Sequence, residues 1–160
     1  MRIPSIYLET TIFNFPFHDD APQYRADTLQ LFSEISEGKF KPVTSEYVTL
    51  ELEAAIDLHR EDRLQMIEKY KIDIISVSDE IGRLADVYIR MGLVPIRHVV
   101  DALHIAAATV AGLDFIVSLN YRHIVKRKII EEIDLINFRE GYKKIGIYSP
   151  AEVIYYDRND

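Results

Sequence analysis

An α/β domain with a parallel central sheet is predicted by three observations. Apolar runs of strand length alternate with amphipathic stretches of helical length, no linker, repeat or low-complexity tract interrupts them, and 160 residues fit one compact core. A single domain over residues 1–160 is therefore expected, burying roughly 70% of the surface its unfolded chain would expose.

The elements follow in order. Residues 3–8 read as a first strand, and residues 20–38 as a helix whose apolar Leu29, Phe32 and Ile35 recur at helical spacing before Gly38 stops it. Residues 41–44 give a short strand. Ser45 is placed to cap a helix running to about Leu58, with Val48, Leu52, Ala55 and Ile56 on one face, and a second helix near residues 61–70 completes a helical hairpin. Residues 72–77 form a third strand, after which Ser78 caps a helix through Ile89 that ends near Gly92. Pro95 makes a new start. Residues 99–110 are strongly helical up to Gly112, residues 114–119 are a strand, and residues 121–132 a basic helical segment. Residues 145–148 close the sheet, and Ser149-Pro150 opens a last helical turn with Ser as cap and Pro in its first position. Repeated strand-helix-strand order implies four to five parallel strands joined by right-handed crossovers.

Composition narrows the chemistry. There are no cysteines, so a disulfide framework, a thiolate zinc site and a cysteine nucleophile are excluded, and any metal is held by oxygen or imidazole. That favours hard cations such as Mg2+ or Mn2+. The net charge of −7 argues against a non-specific nucleic-acid coat, so a nucleic-acid substrate needs a local basic patch or bridging metals. No stretch approaches the roughly 20 apolar residues of a membrane span. Met1-Arg2-Ile3-Pro4 runs directly into a strand without a leader-like segment, and a cytoplasmic protein is expected.

Three carboxylates fall where this pattern gathers them at one sheet edge. Glu9 closes the run Ile6-Tyr7-Leu8, Glu51 lies in Val48-Thr49-Leu50-Glu51-Leu52, and Asp101 opens a helix beginning Asp101-Ala102-Leu103-His104. In open parallel sheets ligands bind beyond the carboxyl ends of the strands, where Glu9 and Asn120, after Val117-Ser118-Leu119, both fall. Grouped carboxylates raise one another's pKa, and a divalent cation resolves that conflict. Asn120 offers an amide oxygen but no charge.

These residues resemble the PIN-domain metal-dependent ribonucleases, in particular the VapC-type toxins of toxin-antitoxin pairs. Tyr7-Leu8-Glu9-Thr10-Thr11 is similar to the family's opening strand and first acidic motif, Thr49-Leu50-Glu51-Leu52 to its Thr-Leu-x-Glu-Leu helix, and Asp101-Ala102-Leu103-His104-Ile105-Ala106-Ala107 to its Asp-x-x-Ile-Ala-Ala helix. Glu9 and Asn120 stand where the family usually has Asp, a departure that resembles a subgroup with Glu-Thr-Thr and a late Asn. The resemblance implies a PIN-like three-layer α/β/α fold. It also implies a Mg2+- or Mn2+-dependent endoribonuclease, toxin of a type II pair, restrained by a cognate antitoxin and forming a homodimer. In that reading Glu9, Glu51 and Asp101 hold the cation, Asn120 positions water or metal, and Thr10 or Ser118 hydrogen-bonds the ligands. The alternative is a catalytically weakened PIN-like module for RNA binding or assembly, and a third reading is a metal-dependent phosphatase or DNA nuclease.

Other residues have plainer readings beside functional ones. Glu46 rivals Glu51 but also suits a helix start. His98 and His104 flank Asp101 at intervals of three; His104 is expected to pack, His98 to lie on the surface, and neither joins the ligand set. Arg122, Lys126 and Arg127, with His123 and Lys128, form a basic cluster just beyond Asn120 that is placed to receive RNA phosphates. Phe13, Phe15 and Phe17 are expected to pack, and ten tyrosines suggest a contact surface.

Overall fold

The computed structural model describes residues 2–154. Five strands form one all-parallel sheet: β1 (Ser5–Leu8), β2 (Lys41–Ser45), β3 (Asp73–Ile75), β4 (Phe115–Val117) and β5 (Gly146–Tyr148), in the order β3-β2-β1-β4-β5. The chain builds outward from β1 to β3, then returns to the other side of β1 with β4. The carboxyl ends of β1 and β4 therefore flank the point where strand order reverses, the place where an open α/β sheet leaves a crevice.

Flanking the sheet are α1 (Thr10–Asn14), α2 (Pro22–Ser36), α3 (Glu46–Ala54), α4 (Arg60–Lys69), α5 (Asp79–Arg90), α6 (Val99–Val110), α7 (Arg127–Arg139) and α8 (Pro150–Ile154). The α3 and α4 helices pack together as the expected hairpin, α5 packs on α6, and α2 on α8. The two central strands are enclosed along most of their length: Ile6, Tyr7, Leu8, Ile116 and Val117 have no solvent exposure. Each such aliphatic side chain contributes about 1.5–3 kcal/mol by leaving water. The α6 helix is buried nearly all round, and its alanines 102, 106, 107 and 108 let neighbouring elements approach closely.

Caps set the boundaries. Ser78 accepts the Ile81 N–H and starts α5, as predicted. Ser149 begins α8 with its backbone N–H donating to Glu152, half of a capping box. Gly112, at φ +68°, ends α6: its N–H bonds the Thr109 carbonyl while the Leu113 N–H reaches back to Ala108, turning the chain into β4.

Four sequence expectations are corrected. The first long helix begins at Pro22 rather than Asp20, and its Leu29 faces solvent while Leu31 takes the core position. The α3 helix stops at Ala54, because Ala55 adopts a non-helical backbone, so Ile56 and Leu58 are about nine-tenths exposed instead of extending the apolar face. Ser45 occupies the cap position of α3 without capping it. Finally, residues 121–126 are not helical: the Asn120 side-chain oxygen accepts the N–H groups of Arg122 and His123, and its carbonyl accepts those of Ile124 and Val125. That local capture delays α7 to Arg127. No helix among the described residues is long and apolar enough to cross a membrane.

Candidate functional site

Glu9 leaves β1 at its carboxyl end and is almost fully enclosed, at 3% exposure. Its backbone N–H bonds the Val117 carbonyl, and its Oε1 accepts the hydroxyls of Thr11 at 2.7 Å and Ser118 at 2.6 Å. Burial pushes this carboxyl above its ordinary pKa; His104 and the hydroxyl donors only partly offset it. Ser118 also accepts the Asn120 N–H, so one hydroxyl links the residues that follow β1 and β4.

Glu51 projects from α3, and its Oε1 accepts the Thr10 hydroxyl at 2.6 Å and contacts His104 Nε2 at 2.7 Å. Burial opposes its ionisation, but His104 and Thr10 outweigh that and hold the carboxyl below its ordinary value. His104, 1% exposed, is more than packing. A carboxylate only accepts, so Nε2 donates to Glu51; Nδ1 hydrogen-bonds the Tyr7 hydroxyl at 2.7 Å, and Tyr7 in turn meets Ser45 at 2.6 Å. A buried chain of polar groups, Ser45-Tyr7-His104-Glu51, thus runs from the middle of the sheet to the site. Burial raises the Tyr7 hydroxyl well above its ordinary pKa and keeps it neutral.

Asp101 lies in the first turn of α6, half-buried, with the Asn120 Nδ2–H donating to its Oδ1 at 3.1 Å and His123 Nδ1 3.0 Å from its Oδ2. Both lone pairs of the Asn120 side-chain oxygen are engaged by the Arg122 and His123 N–H groups, so the side chain positions Asp101 and the following turn. His98 is half-buried rather than on the surface, its ring 4.2 Å from that of His123. His98, Asp101 and His123 each offer a donor atom within 4.8 Å of the other two.

Hydrogen bonds thus connect the sequence-predicted residues in two arcs, Glu51-Thr10 and Glu9-Ser118-Asn120-Asp101, joined through the Glu9-Thr10 backbone. No Lys or Arg ion-pairs with any of the three carboxylates among the described residues; their ion-pair contacts are with His104 and His123. Glu46 is turned away, bonding the Val77 N–H beside β3. In the basic segment Arg122, Lys126 and Arg127 are exposed, and Arg127 pairs with Glu131 at 3.0 Å. Phe13 is in the core against Phe32, and Phe17 stacks on His59.

Sequence reasoning missed the role of His123, read there as part of a basic cluster, and the link from Tyr7 through His104. A tyrosine in an otherwise aliphatic central strand and a histidine one turn after Asp101 were the available signals.

No family model and no curated protein matches the sequence. Two solved structures are similar in fold. One is a toxin-antitoxin complex from Klebsiella pneumoniae, at 19% identity and TM-score 0.52 over 74% of this chain and 88% of that one. The other is VapBC2 from Rickettsia felis bound to a DNA fragment from its promoter, at 16% identity and TM-score 0.56 over 91% of this chain and 98% of that one. The fold is PIN-like, with a five-stranded parallel sheet flanked by helices.

Proposed function

We propose that the protein is a divalent-metal-dependent endoribonuclease and the toxin of a type II toxin-antitoxin pair. The observation that carries this reading is the hydrogen-bonded network that links Glu9, Glu51 and Asp101 through Thr10, Ser118 and Asn120 beside the strand-order reversal, with no Lys or Arg ion-paired to the three carboxylates among the described residues. The donor set fits Mg2+ or Mn2+, which favour carboxylate oxygens and retain waters. A bound cation supplies charge neutralisation at the scissile phosphate and a water acidified enough to attack it.

The chain's own residues do the rest. Thr10 and His104 fix the Glu51 carboxylate, Thr11 and Ser118 fix Glu9, and Asn120 and His123 fix Asp101, so the ligand atoms are oriented before substrate arrives. Burial of Glu9 excludes water from one side of the centre. Arg122 and Lys126, exposed just beyond Asn120, receive RNA phosphates flanking the cleaved bond, with Arg127 available if its Glu131 pair opens. An antitoxin segment covering the acidic edge is the natural restraint, and the likeness to two toxin-antitoxin complexes supports it. The largely exposed Leu135 and Phe138 of α7 support contact with a second copy of the chain.

The test is cleavage of structured RNAs and single-stranded DNA with Mg2+ or Mn2+, comparing wild type, Asp101→Asn and a chelator control. RNA cutting lost with both controls is the expected result. Absence of cutting by wild type, with no Mn2+ binding in calorimetry, overturns it and leaves a PIN-like RNA-binding or assembly module. Preferential cutting of DNA moves the substrate class instead.

A further inference from the structure

We propose that His98, Asp101 and His123 form a transition-metal site that takes a borderline divalent cation such as Co2+, Ni2+ or Zn2+ in preference to Mg2+. The site shares Asp101 with the proposed nuclease centre but does not depend on that activity.

The three donors come from two separate segments. His98 immediately precedes α6, Asp101 is in its first turn, and His123 belongs to the turn after β4. Their donor atoms nevertheless lie within 4.8 Å of one another. His123 Nδ1 and Asp101 Oδ2 are 3.0 Å apart. Adjacent ligands around an ion at about 2.1 Å are separated by about 3 Å, so this pair already has the spacing of a coordination edge. The His98 donor nitrogen lies within 4.8 Å of both, in reach of the third position through side-chain adjustment, and its Nε2 accepts the Arg97 Nε–H at 3.3 Å.

Support around the donors fits the same reading. Asn120 donates to the other Asp101 oxygen and holds the His123 backbone N–H, so one side chain sets the relative position of two ligands from different segments. A carboxylate at position 120 has no proton to give Asp101 at neutral pH. Asn120 thus acts as a positioning residue, and the charge absent there is accompanied by two imidazoles that the oxygen-only set lacks. Imidazole nitrogen favours later transition metals over Mg2+, whose preference is for hard oxygen.

The experiment titrates tag-free, chelator-stripped full-length protein with Co2+, Zn2+ and Mg2+ by calorimetry and records the visible absorption of the Co2+ form. Wild type is compared with His98→Gln, His123→Asn and the double variant Glu9→Gln/Glu51→Gln, each checked by thermal unfolding without metal. His123→Asn keeps an amide donor beside Asp101 while removing the ligand nitrogen, which protects folding. The expected result is Co2+ or Zn2+ binding tighter than Mg2+, weakened at least about tenfold in either histidine variant and within about threefold of wild type in the glutamate variant. The proposal is overturned by absence of Co2+ and Zn2+ binding to wild type, or by histidine variants that bind like wild type. It is equally overturned if the glutamate variant loses binding while both histidine variants keep it. Ribonuclease activity is not a readout, so failure here is separate from failure of the nuclease reading.

Discussion

The two ends of the central strands treat carboxylates in opposite ways. At the amino end of β4, Asp114 is surrounded by donors: Arg2 at 2.6 Å, Lys143 at 3.0 Å, and the Ser5 N–H and hydroxyl at 2.9 and 3.1 Å. Partial burial opposes its ionisation, but the Ser5 N–H and the two cations win and hold it well below the usual carboxylate range. At the carboxyl ends of β1 and β4, Glu9, Glu51 and Asp101 meet hydroxyls, imidazoles, an amide and a backbone N–H. Asp114 ties the ends of strands together. The other edge holds three carboxylates with no Lys or Arg ion-paired to them among the described residues, an arrangement that a bound cation would complete.

The comparison breaks most sharply at Asp101 and Asp114. Asp101→Asn is expected to reduce RNA cleavage by at least about 100-fold, the scale on which removal of one electrostatic group acts at a catalytic centre. Its thermal midpoint should stay near that of wild type, since the Asn120 and His123 contacts can re-form around an amide. If Asp101→Asn cuts RNA at the wild-type rate, this edge is not the active centre.

Tyr7→Phe probes the chain of polar groups that reaches Glu51 from within the sheet. Losing the hydroxyl strands His104 Nδ1 and Ser45, at a cost of about 1–3 kcal/mol for an unsatisfied buried group. It also frees the imidazole that aims Glu51, so cleavage by the folded variant is expected to fall about tenfold. Denaturant unfolding and single-turnover cleavage separate the two effects. A stability loss with an unchanged rate would make the chain purely structural.

Much of this arrangement was legible in the sequence, for physical reasons that differ by residue. Strand runs such as Ile6-Tyr7-Leu8 and Phe115-Ile116-Val117 are apolar because both faces of a parallel sheet are covered, and the residues ending them had to emerge at one edge. Asp101 was legible because α6 is apolar nearly everywhere else. What sequence could not supply was direction within irregular backbone. His123 sits among Arg122, Lys126 and Arg127, and only the turn built on Asn120 aims it at Asp101 rather than solvent. Similarly, the helical periodicity from Val48 through Ile56 ignores the backbone break at Ala55, which no proline or glycine announces.

At the opposite edge the effects are thermodynamic. Asp114→Asn is expected to destabilise by about 1–2 kcal/mol at pH 7, modest because Arg2 and Lys143 reach it from largely solvated positions, and to leave cleavage per folded molecule unchanged. Its folded pKa is depressed, so the ionic contribution is fully present above the ordinary aspartate value of about 3.9 and disappears as pH falls through the lower folded value. The stability gap between wild type and variant should therefore narrow in strong acid, as unfolding midpoints across pH 2–7 will show. A constant gap would assign Asp114's contribution to neutral hydrogen bonds alone.

Glu9→Gln gives the smallest change and the one of opposite sign. Burial raises the folded pKa of Glu9, so the folded state holds its proton more tightly than the unfolded chain does, and stability is lost as pH rises through the interval between the two values. Gln retains an oxygen to accept the Thr11 and Ser118 hydroxyls while removing the charge that burial penalises. A small rise in thermal midpoint at pH 7 is expected, shrinking below pH 4 where the wild-type carboxyl is neutral in both states. If cleavage falls as the midpoint rises, the buried charge is maintained at the expense of stability because the reaction uses it. A midpoint that drops instead would show that the ionised carboxylate is already stabilised by its hydrogen bonds from Thr11 and Ser118 without any cation.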